Sequence, residues 1–422
     1  MKRWLARVAL LFALAFAGVL MAAEEAPAPA DASREILVML RLPPPHYRPG
    51  ANYGGGYADD AGRAARRRIA DGVAHAQGLK VLSGWPMPAI GVDCYVLRLP
   101  VGANLDEVVK RVANDSRVEW AQPVQRFRAL GASVEAVNAA AKSSLYSLQP
   151  SARLWQLDDL HKVSTGRGVR VAVIDSGVDV AHPDLAGRIE IERNFVDARE
   201  HVAEAHGTAV AGIIGAHADR DAGVVGIAPQ AKLLALRACW EESAAATLCS
   251  SFTLAQAVQA AIAADAQVIN LSLSGPDDRL LAHLIDAAGE RGAIIVGAVD
   301  AQVADGGFPA SHSGVLAVSD RVGAGASVLS APGNDVPAPA PGARWDFVSG
   351  SSFAAAQVAG MLALAGALER APDMRQSSAW ARFPPNSPDG AAGYVDACAT
   401  LRHAAPALDC LSSREGTARV SR

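Results

Sequence analysis

Apolar residues recur in two different rhythms along this chain, and the rhythm changes near residue 150. In the first part, Glu35 to Leu42 (EILVMLRL) reads as a strand, residues 58 to 77 as an Arg-rich helix, and Leu79 to Leu99 as two strands around a Gly/Pro turn. Asn104 to Ala113 (NLDEVVKRVA) has helical spacing, and Val118 to Phe127 forms a last strand. The resulting βαββαβ order predicts a small α+β, ferredoxin-like unit, an open-faced sandwich. Residues 131–150 (GASVEAVNAAAKSSLYSLQP) lack strong strand periodicity and are expected to form a junction.

From residue 151 onward, short β-branched runs alternate with Ala-rich helical stretches. The runs are VRVAVI (169–174), KLLALR (232–237), VINLSL (268–273), AIIV (293–296) and VLAV (315–318). Near-continuous apolar strands separated by helices indicate an α/β fold: a mostly parallel sheet with helices on both faces, in three layers. Thr253 and Gln256 have capping-box spacing before AVQAAIAA, which predicts a helix start there. In such sheets ligands and chemistry collect at the carboxyl ends of the strands.

With 422 residues the chain exceeds one ordinary core, so two domains plus a removable leader are expected. Half of the residues are hydrophobic and 19% are charged, enough to bury a sizeable core. The formal net charge of −4 gives no electrostatic reason to expect nucleic acid or an anionic membrane as a partner. The run Arg66, Arg67, Arg68 reads as a solvated helix face.

Lys2, Arg3 and Arg7, the apolar run Val8–Met21, and then Ala22 and Ala23 have the layout of a signal peptide over residues 1–23. The run is shorter than the ~20 residues of a spanning helix, so stable membrane insertion is not expected and the compartment is secreted or periplasmic. A Pro/Ala linker follows at 24–33, and a polar tail occupies 412–422. Export permits disulfides, and short-range bridges Cys239–Cys249 and Cys398–Cys410 are expected, although spacing does not fix connectivity. Cys94, in CYVLRL, reads as a small buried hydrophobe.

Three segments carry chemistry. Asp175 ends the strand VRVAVI and so sits at the functional edge of the sheet, where an aspartate taken alone is more often a turn or cap residue. His206 opens HGTAVAGIIGA, in which Gly207 and Gly212 permit close backbone approach, and its neutral imidazole suits a general base. Ser352 lies in SGSSFAAAQVAGMLALAGAL, where Gly350 permits a sharp turn and the unpaired N–H groups of a starting helix are available to a developing oxyanion. A plain N-cap serine is the competing reading, and Ser351 is the rival nucleophile.

Taken together, VAVIDSGVDVAHPDL, HGTAVAGI and GSSFAAAQVAG resemble the three active-site signatures of the subtilisin-like serine peptidases, in that family's Asp, His, Ser order. The three residues lie 31 and 146 positions apart, which suits the family. GIAPQAKLLALR, VINLSLSG, SAPG and GYVDA stand where it has similar segments, so the resemblance covers roughly residues 150–400. It implies a serine endopeptidase acting on polypeptides through an acyl-enzyme, with Ser352 as nucleophile, His206 as base and Asp175 orienting the imidazole. Registry of GxSxAA onto Gly350, Ser352, Ala354 and Ala355 favours Ser352 over Ser351. The resemblance further implies that Ser272, Leu273 and Ser274 form the edge that pairs with the substrate backbone.

Residues 34–130 are similar to that family's inhibitory propeptide, especially YVLRLP and VEWAQPVQRFRAL. This similarity implies that the segment assists folding, blocks the cleft with its C-terminal stretch as an intramolecular inhibitor, and is cut off at the junction 131–150, ahead of a peptidase domain at 151–411.

One departure stands out. The family places an asparagine, its second oxyanion donor, just after an apolar strand, whereas AIIVGAVDAQ offers Asp300, or Ala301 if the gap is placed differently. A protonated Asp300 would donate to the oxyanion and favour activity at lower pH. Ala209, Ala356 and Gln357 depart from the family at positions off the triad. No cofactor is required by this chemistry, and no acidic loop has a convincing calcium-ligand spacing. Two other functions fit the same residues: a weak or inactive binding protein of the same fold, and an acyl transferase using the same triad.

Overall fold

In a computed structural model of the chain, described over residues 34–41, 60–137, 144–218, 222–243, 246–368, 373–387, 391–402 and 405, two sheets carry the architecture. The expected signal peptide, linker and polar tail, together with Cys410, lie outside these residues.

The first sheet comprises β1 (Glu35–Arg41), β2 (Lys80–Met87), β3 (Val92–Arg98) and β4 (Trp120–Pro123), with helix α1 (Asp60–Ala76) after β1 and helix α2 (Leu105–Ala113) after β3. Its strand order is β2-β3-β1-β4, antiparallel throughout, as the βαββαβ pattern predicts. The apolar run in β1 is nearly continuous because both faces are covered. Ile36, Val38 and Leu40 pack with Val73 and Val112 of the two helices. Leu37 and Met39, with Cys94 and Val96 of β3, face the rest of the molecule. Cys94 is fully buried there, and burial pushes its thiol pKa far up, so it is inert packing. Arg66 is not part of a solvated face: its guanidinium turns inward to the buried carboxylate of Asp93, while Arg67 pairs with Asp71 and Arg68 is exposed.

The predicted strand 118–127 is in fact divided. After β4 the chain breaks at residues 124–125 and re-forms as β5 (Arg126–Ala129), which belongs to a different sheet. The next strand, β6 (Ala132–Val137), lies in the segment expected to be an irregular junction. Its weak alternation is overridden by pairing with a strand far along the chain.

The second major sheet is assembled from β7 (Arg170–Asp175), β8 (Ile189–Asn194), β9 (Lys232–Arg237), β12 (Val268–Leu271), β14 (Ile294–Ala298), β15 (Val315–Ser319) and β16 (Leu329–Ser330). Their order is β16-β15-β14-β12-β7-β9-β8, and every pairing is parallel. Successive residues of β7 enter opposite cores. Val171 and Val173 meet helices α3 (Ala205–Gly215) and α6 (Ser351–Gly366), while Ala172 and Ile174 face α4 (Ser251–Ala263), with α5 (Arg279–Glu290) packed on α4 and β14 in the same core. The fold is therefore the expected three-layer α/β arrangement beside a ferredoxin-like unit. That unit packs Leu37, Met39 and Trp120 onto the outer faces of α4 and α5. Gln122 accepts from the Leu280 amide at 3.1 Å, and Gln259 accepts from the Ala89 amide at 3.0 Å.

Helix α4 begins three residues before the predicted point. Ser250, not Thr253, is its N-cap, and Ser250 and Thr253 satisfy each other's backbone N–H groups reciprocally. Ser250 closes the hairpin of β10 (Cys239–Ser243) and β11 (Ala246–Ser250), whose facing residues Cys239 and Cys249 are disulfide-bonded as expected. The last antiparallel sheet joins β17 (Val336–Ala340), β18 (Arg344–Ser349) and β6.

Candidate active site

The carboxyl ends of the central strands converge with the first turns of α3 and α6. Asp175 is the last residue of β7 and is 2% exposed. Its Oδ1 accepts from the Ser176 amide and lies 2.7 Å from Nδ1 of His206. Two glycines make this approach close. A Cβ on Gly207 would stand 2.3 Å from the Ser176 carbonyl oxygen, and one on Gly177 would stand 1.9 Å from that of Val202.

A buried ion pair supports the junction. The Arg237 guanidinium, at the end of the neighbouring β9, donates to both oxygens of Glu204 at 2.8 and 2.9 Å. Glu204 immediately precedes α3 and accepts from the Gly177 amide at 2.6 Å. Burial works to raise its pKa, but Arg237 and two backbone N–H groups outweigh burial and hold the carboxyl below the usual range. Neither residue stood out in the sequence, because each acquires its meaning only from a partner 33 positions away.

Burial disfavours the imidazolium form of His206. The negative charge of Asp175, the hydrogen bond to it, and the more distant Glu241 carboxylate outweigh burial, so the imidazole pKa lies above its ordinary value. Glu241 also accepts from the His206 amide at 2.9 Å. His206 Nε2 is buried and has no hydrogen-bond partner. The ring lies 5.3 Å from that of Phe353, the neighbour of Ser352.

The two candidate serines differ sharply. Ser351 donates its hydroxyl to the Val299 carbonyl at 2.7 Å, a bond that holds the start of α6 against the residue just past β14. Ser352 is fully buried; its hydroxyl donates to the Ser272 carbonyl at 2.8 Å and accepts from the Leu130 amide at 3.0 Å. Its own backbone N–H donates to the Leu130 carbonyl at 2.9 Å. The structure thus brings Asp175 and His206 into contact, with the Ser352 hydroxyl turned toward Ser272 rather than bonded to His206. Gly350, at φ 144°, has no room for a side chain: a Cβ would stand 2.6 Å from the Leu130 carbonyl oxygen.

The edge Ser272–Leu273–Ser274 is paired with the chain itself. Leu273 faces Ala129, Ser274 faces Arg128, and the Leu130 amide donates to the Ser272 carbonyl at 3.3 Å. On its other side β5 pairs with β11, placing residues 126–130 as the middle strand between two edges of the cleft. Phe127 anchors the strand: it is 1% exposed, sits 6.2 Å from the Phe308 ring and lies over Gly275, where a Cβ would collide with it. Burying a side chain of this size stabilises by ~1.5–3 kcal/mol.

In the uncut chain Asp300 is held as the partner of Arg128 rather than as the protonated donor expected from the sequence. Burial would raise its pKa, but the Gln302 amide, the Arg128 guanidinium and Ser274 outweigh burial and keep the carboxyl below its ordinary value. Its Oδ2 lies 2.6 Å from Arg128 Nη2, so it stands as an anion in an ion pair. Gln357 donates to the Pro332 carbonyl at 2.5 Å. Among the described residues, no three His, Cys, Asp or Glu side chains are grouped as a metal site, and no helix is long and apolar enough to cross a membrane.

Residues 166–383 match the model of the subtilase family, peptidase S8. The chain is 34% identical over 281 residues to a thermophilic serine proteinase from Bacillus sp. (strain AK1), covering 63% of this chain and 67% of that protein. It is 35% identical over 222 residues to an intracellular serine protease of Paenibacillus polymyxa, covering 47% and 67%. Fervidolysin from Fervidobacterium pennivorans, a keratinolytic enzyme related to subtilisin, has the same fold, with a TM-score of 0.63 and 23% identity over 87% of this chain and 61% of that one. Since the family match spans more than half of the chain and the relatives are serine proteinases, this protein belongs to the subtilase family and is a serine-type endopeptidase.

Proposed function

We propose that this subtilase is made as an exported zymogen that cuts its own bond between Leu130 and Gly131 with Asp175, His206 and Ser352. The observation that carries the reading is the Ser352 amide donating to the Leu130 carbonyl while the Leu130 amide donates to Ser272. An oxyanion donor belongs on the carbonyl that is attacked, so these contacts support Leu130 as the acyl residue.

In this reading the Ser352 hydroxyl rotates from the Ser272 carbonyl onto the unpartnered His206 Nε2 and attacks the Leu130 carbonyl carbon. His206 accepts the proton, and Asp175 holds Nδ1–H and stabilises the imidazolium. The Leu130–Gly131 bond then breaks, the Gly131 nitrogen takes the proton from His206, and water hydrolyses the acyl-enzyme. Residues 34–130 serve as the propeptide, whose strand β5 fills the cleft, and cutting at the first bond of the 131–150 segment frees the peptidase domain. The same steps then act on other polypeptides.

The test is to follow the purified chain by intact mass during incubation. A fragment whose N-terminus is Gly131 is the expected product; a first cut elsewhere would overturn the register. Export is supported by the signal-peptide layout of residues 1–23 and by the disulfide Cys239–Cys249. Fractionation of an expressing cell should place the processed form in the periplasm or the medium.

The electrostatics make a further prediction. Neutral His206 is the working base, and its raised pKa places the acidic limb of kcat/KM above the pH expected of an ordinary histidine. Replacing Glu241 by Gln deletes a negative charge that favours the imidazolium, so the limb should move to lower pH. A limb that stays in place would show that Glu241 does not act on His206.

A further inference from the structure

We propose that Asp300 makes this peptidase selective for arginine at the third residue before the bond it cuts. The proposal rests on the Leu130–Gly131 register, in which Arg128 holds that place.

Three observations carry it. Asp300 is 4% exposed, yet its carboxylate is met by Arg128 Nη2 at 2.6 Å, from the strand that occupies the cleft. The same nitrogen lies 3.3 Å from Gln302 Oε1, so two acceptors converge on the guanidinium. The carboxylate is also fixed in direction. The Gln302 amide donates to its Oδ1 at 2.9 Å, the Asp300 amide donates to the Gly306 carbonyl at 2.8 Å, and the Val303 amide donates to the Asp300 carbonyl at 3.0 Å. The site therefore exists as a rigid acceptor before a cation arrives.

When residues 126–130 leave the cleft, Asp300 keeps the Gln302 amide and loses the Arg128 guanidinium. A substrate carrying arginine in that place restores the pair; one carrying glutamine restores only a neutral hydrogen bond, and glutamate adds a like charge. The Arg128 side chain is half exposed, which screens the interaction. The expected preference for arginine over glutamine is ~10-fold in kcat/KM, the lower end for a hydrogen bond between charged groups.

The test uses the processed enzyme and three peptides containing Phe-X-Ala-Leu-Gly, with X arginine, glutamine or glutamate. The wild type should rank arginine above glutamine above glutamate, with the gap shrinking as salt rises. In Asp300→Asn the arginine-to-glutamine ratio should fall to about one, and in Asp300→Lys glutamate should become the better peptide. Ratios within one enzyme cancel any change in the chemical step, and cleavage of the glutamine peptide shows that each variant is folded. Cleavage after Leu with equal rates for arginine and glutamine in the wild type would overturn the proposal, as would a preference that persists in Asp300→Asn. Failure to cut after Leu in any peptide would instead overturn the register on which it stands.

Discussion

Ser352→Ala should remain a single uncut chain under conditions in which the wild type releases its residues up to Leu130. The substitution removes one oxygen from a fully buried position at the start of α6. The helix has its own backbone ladder, so folding should be preserved. What disappears is the only atom that can form a bond to the Leu130 carbonyl carbon in this mechanism. The expected loss is on the order of 10⁶-fold in turnover, the size seen when the serine of subtilisin itself is removed. Ser351→Ala is the matching control. Its hydroxyl holds the Val299 carbonyl, so it should cost ~0.5–1.5 kcal/mol in stability and leave self-cleavage in place. Intact mass of both variants over time, alongside the wild type, checks the pair. A Ser352→Ala chain that still gains an N-terminus at Gly131, with no added protease, would end the assignment of the nucleophile.

Arg237→Ala should be strongly damaging although it lies outside the triad. The side chain is 5% exposed and makes a two-point contact with Glu204, whose oxygens also accept from the Gly177 amide and, at 3.2 Å, from the Glu241 amide. Removing the guanidinium leaves a buried carboxylate without its cation, which typically costs ~3–5 kcal/mol. It also loosens the first turn of α3, and with it His206. Thermal or denaturant unfolding should show the loss, and kcat should fall with it as the His206–Asp175 contact degrades.

The double change Glu204→Gln with Arg237→Met removes both charges and should recover much of the stability, because the penalty comes from the unpaired charge. A pH series adds an independent check. The folded-state pKa of Glu204 is depressed, so its contribution is fully present above about pH 4.5 and is lost as the pH falls through the lowered value. The wild type should lose this increment on acidification, and the double variant should not.

Much of this enzyme was legible from local pattern. Continuous apolar runs buried on both faces announced β1 and the parallel strands, since a strand covered on both sides has no reason to alternate. Asp175, His206 and Ser352 stood out because each sits where a strand ends or a helix begins, with glycines beside them that permit close backbone approach. The disulfide Cys239–Cys249 lay within one hairpin and so was also a local matter. The start of α4 was misplaced by one turn because the competing cap, Ser250, belongs to the preceding strand.

What only the tertiary structure decided is a set of pairings between distant segments. Strand β5 parts from β4 because the chain turns at residues 124–125 into the cleft, and β6 exists because β18, more than two hundred positions later, offers it an edge. Asp300 had two readings until its surroundings were known. In the sequence it stood where the family carries a neutral donor; in the fold it is an anion held by Arg128, 172 positions earlier. The physical reason is common to all of these cases. Hydrophobic periodicity and backbone sterics act over a few residues and are written along the chain, whereas the charge state and direction of a buried polar group depend on which partners the fold brings to it.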